Sequence, residues 1–218
     1  MEINTMDRNL SMLYLLIGMK REKIASTLGR PRAFDVEKAL HSAMQVFWRK
    51  GYVGTSLSDL TNAMGINRPS LYAAFGNKKS LFRKALNHYA EGPSSYLSKA
   101  LQEPTARAVV ERLLHGVVDL LTDPRTPTTC LWVHGALSCG DDSLQDEFVA
   151  QRAAGQAELR TRFKRAVEDG DLPRDSDADA LARYVQTVSF GLTVQASTGA
   201  TRKELLRIVE VTLKTWPK

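Results

Sequence analysis

Cysteine is almost missing from this chain: two residues, Cys130 and Cys139, in a sequence of 218. That number is too small for a disulfide framework. If both lie on one helix, their nine-position separation turns through about 900° and puts them on opposite faces. An intrahelical bridge is then excluded, and free thiols fit a reducing cytoplasm. Long apolar runs are also scarce. Leu10–Met19 spans ten residues, about half of what a membrane-crossing helix needs, so no membrane partner is expected. No P-loop, G-x-G-x-x-G, H-E-x-x-H or C-x-x-C occurs, which removes the common phosphate-cradling, dinucleotide and zinc signatures. The nearest approach to a nucleophile elbow, Ala136-Leu137-Ser138-Cys139-Gly140, has one glycine too few and no strand before it. Four histidines (His41, His88, His115, His134) are scattered without a companion carboxylate or thiolate cluster, a poor basis for a metal site. No catalysis, metal or cofactor is assigned.

What is present is the composition of a globular protein, 43% apolar and 25% charged, with no repeats and no low-complexity tracts. The net charge of +6 is unevenly spread. Residues 1–92 carry 14 Lys/Arg against 7 Asp/Glu, whereas residues 93–218 carry 16 against 17. A basic surplus confined to one part of a chain is the footprint expected of a phosphate-binding surface.

The stretch Gly51–Leu86 explains that surplus. Thr55 and Ser56 can cap a short helix whose Leu57, Leu60, Ala63 and Met64 share one face. Gly65 allows a tight turn, and Ile66 fills its corner. Asn67 can cap a second helix that tolerates Pro69 in its first turn. There Leu71 and Phe75 face inward. Pro69 and Ala73 lie opposite, with Ser70 and Tyr72 on the flanks and Arg68 at the tip, a small-featured face that can approach base edges. Two short helices joined through a glycine turn make a helix-turn-helix. Asn77 then caps a helix opening on Lys78 and Lys79, where free N–H groups and two ammonium groups can clamp a phosphate; the alternative is that both lysines are merely solvated.

These residues resemble the DNA-binding domain of the tetracycline-repressor (TetR/AcrR) family of bacterial regulators, over about Phe34–Tyr89. The likeness rests on F-x-x-x-G-Y-x-G-T-S at Phe47–Ser56, M-G-I-N-R-P-S-L-Y at Met64–Tyr72 and F-G-N-K-K-S-L-F at Phe75–Phe82. It implies a cytoplasmic, dimeric, ligand-responsive DNA-binding regulator, a repressor released from operator DNA by a small-molecule inducer. An activator or architectural DNA binder without an inducer is the alternative. By position, Thr55 and Ser56 would touch phosphate, Arg68, Pro69, Ser70 and Tyr72 would meet bases or backbone, and Lys78 would take a phosphate. Where the family often carries an aromatic residue or histidine, this chain has Ala73 and Ala74, so contacts made there elsewhere are not carried over.

The rest of the chain reads as helical. Asp35 caps a helix to about Lys50 with Val36, Ala39, Leu40, Ala43, Phe47 and Trp48 as its stripe. The helix from Asn77 ends near Ala90, and Gly92-Pro93 marks a boundary. Helices follow over Thr105–Leu121, Thr128–Cys139, Ser143 to about Asp169, about 176–198 with Ser176 as cap, and 201–216. Parts of the second and fourth could pass for strand, but three/four spacing favours helix. The expected architecture is all-α: residues 1–33 as an extension, 34–92 as a three-helix helix-turn-helix domain, and 93–218 as a helical ligand-binding and dimerisation domain. The extension is expected to be upstream sequence, with translation starting near Met19. A secretory signal or a flexible arm are the alternatives. The resemblance implies a ligand cavity in the second domain, with His115, Trp132, His134, Phe163, Tyr184 and Phe190 as candidate lining. It also implies a four-helix dimer interface made by the last two helices, through Leu181, Val188, Leu192, Leu205, Val209 and Trp216; the alternative is that those faces are internal core.

Overall fold

Asp35 accepts a hydrogen bond from the Lys38 amide at 3.1 Å and so starts α1, Val36–Lys50. A side-chain cap of this kind contributes about 1 kcal/mol. The computed structural model describes residues 34–138 and 140–217; the predicted extension, its apolar run and Cys139 lie outside the described residues. Ala39, Ala43, Met44, Phe47 and Trp48 form the buried stripe of α1. Ser56 and Asp59 make a capping box for α2, Leu57–Met64. Gly65 ends α2 in the left-handed region at φ 65°, where a β-carbon is penalised. Asn67 and Asn77 then cap α3, Arg68–Phe75, and α4, Lys78–Glu91, through the amides of Ser70 and Ser80.

These four helices share one core. Phe47 of α1 meets Phe82 of α4 edge to face at 4.8 Å between centroids, and Trp48 meets Tyr89 the same way at 4.8 Å. Leu60, Leu71 and Phe75 close it from α2 and α3, and all are buried. Burying each such side chain stabilises the fold by about 1.5–3 kcal/mol.

The remaining helices are α5 (Tyr96–Ala100), α6 (Ala106–Thr122), α7 (Leu131–Ser138), α8 (Asp142–Glu168), α9 (Ala178–Ser197) and α10 (Arg202–Lys214). Among the described residues every regular element is a helix, including the two segments whose β-branched content resembled strand. The short α5 has no periodicity signal long enough to read from sequence. Two start points shift by one or two residues: Asp141 rather than Ser143 caps α8, and Asp177 rather than Ser176 caps α9. A carboxylate at each of these positions reaches the free first-turn amides. Packed together, α6, α8, α9 and α10 enclose a second core that includes Leu114, Leu159, Phe163, Val185, Leu192 and Leu205.

Candidate nucleic-acid interface

The helix-turn-helix is α2 and α3, backed by α1 and α4. On α3, Leu71 and Phe75 are buried at 0% and 3% exposure, while Arg68, Pro69, Tyr72 and Ala73 lie on the surface, Tyr72 at 48%. Ser70 is half-buried. The outer side of α3 is therefore open along its length and bears one guanidinium, one phenol and small groups.

Hydrogen bonds fix that face from below. Arg68 Nη2 donates to Ser58 Oγ on α2 at 3.1 Å, which holds the guanidinium at the tip of α3. Lys50 Nζ reaches Asp59 Oδ1 at 2.6 Å. That bond, with the Ser56 backbone and hydroxyl, holds the Asp59 carboxyl well below the usual carboxylate range. Asp59 thus stays charged and keeps the capping box of α2 intact. Gly54 sits against the Lys50 carbonyl, where a β-carbon would come within 2.4 Å of the oxygen; only glycine fits.

The two lysines that open α4 point to different places. Lys78 Nζ lies over the Tyr52 ring, 4.5 Å from its centroid, beside α3. Lys79 Nζ instead bonds Asp141, at 2.8 Å to Oδ1 and 3.1 Å to Oδ2. The two-lysine phosphate clamp is corrected to Lys78 alone, because Lys79 is already neutralised from within the chain. Thr55 is a second correction. It is 1% exposed and its hydroxyl donates to the Gly51 carbonyl at 2.6 Å, so the hydroxyl braces the α1–α2 turn and does not face solvent. Ser56 is exposed and gives its hydroxyl to the capping box. Sequence reasoning missed Ser58, since its partner lies ten residues away on the next helix and no helical wheel relates them.

The pattern of the family described as "Bacterial regulatory proteins, tetR family" matches residues 39–85, which span α2 and α3 with most of α1 and α4. Over a longer span, the HTH-type transcriptional regulator YezE of Bacillus subtilis (strain 168) is 33% identical across 190 residues, covering 85% of this chain and 98% of YezE. The chain belongs to the tetR family. Among other relatives, the HTH-type transcriptional repressor ComR of Escherichia coli (strain K12) is 29% identical over 199 residues, 89% of this chain and 95% of ComR. A solved structure of the TetR family regulator CifR, a cysteine mutant with 26-bp operator DNA, superposes with a TM-score of 0.81 at 45% identity. It covers 86% of this chain and 100% of that one.

As a tetR family member the chain is a bacterial regulatory protein, and no helix among its described residues is long and apolar enough to cross a membrane. The six candidate ligand-lining residues do not converge. Phe163 is fully buried against Trp216, 5.3 Å between ring centroids. Trp132 packs on Phe148 at 5.9 Å, and His134 lies over Gly51. His115 donates its Nδ1–H to the Glu111 carbonyl at 2.8 Å, Tyr184 is 42% exposed, and Phe190 is half-buried. A single cavity lined by all six is therefore corrected: helical spacing marked them as apolar or aromatic but could not say which layer each enters. An open groove between the end of α8 and the start of α9, lined by Arg160, Lys164, Val167, Glu168 and Ser176–Asp179, contains none of them.

Four of the six candidate interface residues are also corrected. Leu192, Leu205, Val209 and Trp216 are buried inside the protomer, as the internal-core alternative holds. Leu181 and Val188 are half-buried. The apolar groups that α9 and α10 leave on the surface are Tyr184, Val194, Ile208 and Val211.

Proposed function

We propose that this regulator is a dimeric operator-binding repressor that reads DNA with α3. The observation that carries the reading is the open face of α3, with Arg68, Pro69, Tyr72 and Ala73 outside and Leu71 and Phe75 locked inside. A helix so supported fits the major groove, where Arg68 and Tyr72 meet base edges, Pro69 and Ser70 line the approach, and Lys78 with the exposed Ser56 takes phosphate. Relatives named as repressors and a CifR structure with operator DNA support the assignment. The dimer forms through Tyr184, Val194, Ile208 and Val211 with the half-buried Leu181 and Val188. Two readers joined by a two-fold axis engage two half-sites. The 93–218 portion binds a small-molecule inducer, whose occupancy favours a state with readers out of register. A coupling of about 1–3 kcal/mol is enough to change operator affinity roughly 5–150-fold.

The test is a gel shift and footprint on DNA flanking the gene, with random duplex as the competitor. Arg68→Ala or Tyr72→Ala is expected to lower operator affinity by about 1–3 kcal/mol while sparing random DNA. Lys78→Ala weakens both duplexes and lowers the salt slope by about one. Equal losses on every sequence from all three substitutions would refute the assigned roles.

A further inference from the structure

Two ion pairs join the helix that follows the reader to the helix that runs through the second core. Lys79 of α4 holds Asp141, and one turn on, Arg83 holds Glu147 with Nε at 3.0 Å from both carboxylate oxygens and Nη2 at 2.5 Å. Between them, Phe82 and Phe148 pack edge to face, 6.2 Å between centroids. Phe148 is clamped on its other side by α7, where a β-carbon on Gly135 would come within 2.2 Å of the ring. A second attachment lies just before α7 and is uncharged: Trp48 Nε1–H donates to the Thr129 carbonyl at 2.7 Å, and Tyr89 O–H to Cys130 Sγ at 3.5 Å.

The mechanical consequences follow from chain geometry. Only Gly76 and Asn77 separate α3 from α4, and both are fixed: the Gly76 amide donates to Tyr72 O, and Asn77 caps α4. The direction of α4 therefore sets the direction of α3. At the other end, α8 is a 27-residue rod, about 40 Å long, whose Leu159 and Phe163 are seated in the second core. Asp141 is both the N-cap of that rod and the acceptor for Lys79. All four charged side chains keep partial solvent access, so these pairs are individually weak and can be opened.

We infer that Lys79–Asp141 and Arg83–Glu147 form an ionic latch that holds α4, and through it α3, at the angle required for paired half-sites, with the Trp48/Tyr89 attachment as its pivot. These four are positioning residues; none touches DNA. The inference rests on the dimeric-reader function proposed above.

The probe is the duplex that the full-length protein enriches from a random-sequence library, compared with the same duplex carrying one extra base pair at its centre. The ratio of the two affinities measures how rigidly the readers are spaced, and it cancels phosphate contributions common to both. Wild type is expected to penalise the insertion strongly. Arg83→Glu should reduce that penalty roughly 5- to 10-fold, Asp141→Asn should reduce it less, and Arg83→Glu with Glu147→Arg should restore it. Asp141→Asn keeps a good N-cap and removes only the charge, so it decides the matter if Arg83→Glu fails to fold. An insertion penalty unchanged in both Arg83→Glu and Asp141→Asn overturns the latch. An enriched duplex without two half-sites overturns the dimeric reader, and the latch with it.

Discussion

The reader, α1–α4, and the bundle, α6 with α8–α10, are built from the same kind of element, yet they sort their residues differently. Each reader helix starts at a side-chain cap and carries one narrow apolar stripe, so the opposite side is left to polar or small groups. Bundle helices carry apolar groups on more than one side. On α9 and α10, Leu192 and Val209 are buried while Val194 and Val211 stand at 51% and 60% exposure. Chemically these residues are alike. A periodicity argument separates inside from outside only when there is a single apolar face to find.

The comparison can be tested from both sides. The largest effect is expected in the reader core, where Phe47→Ala should lower stability by about 3–5 kcal/mol, read by denaturant unfolding. Operator binding should fall with it. In the bundle the contrast is between neighbours of similar chemistry. Leu205→Ala should cost about 2–5 kcal/mol and leave the association state unchanged, whereas Val211→Glu should leave protomer stability nearly intact and shift sedimentation toward monomer. If Leu205→Ala also dissociates the protein and Val211→Glu does not, the assignment of inner and outer faces is reversed.

A smaller effect is pH-dependent. Burial raises the Tyr89 phenol well above its ordinary value, with Cys130 adding to the shift. The fold holds the protonated form, so its contribution is complete below the unfolded phenol value of about 10. It declines as pH rises beyond that, when the unfolded chain ionises first. Tyr89→Phe should flatten the loss of melting temperature between about pH 9 and 11; an unchanged slope would place the alkaline sensitivity elsewhere. The smallest effect is at Ser58. Ser58→Ala releases the Arg68 guanidinium, and operator affinity should drop by about 0.5–1.5 kcal/mol with melting unchanged.

Much of the reader was legible because its signals are local. Asp35, Ser56, Asn67 and Asn77 are caps within four residues of the amides they satisfy, and Gly65 is the turn glycine that its φ of 65° requires. Lys79 shows where local reading stopped. Its neighbour Lys78 has the same chemistry and the same helix terminus, and only the return of Asp141, 62 residues later, assigns the two lysines to different tasks. Thr55 is similar: its hydroxyl is a plausible phosphate donor until the Gly51 carbonyl is seen to occupy it.

By itself the sequence determined the helices, the helix-turn-helix and the inward set of Leu71 and Phe75, since caps, turns and amphipathic period act over a few residues of chain. Tertiary structure alone decided that Phe163 belongs to the core, that Trp132 and His134 belong to the joint with the reader, and that Leu205 lies inside while Val211 lies outside. Those outcomes depend on how close-packed helices share volume with neighbours far along the chain, and no window of adjacent residues carries that information.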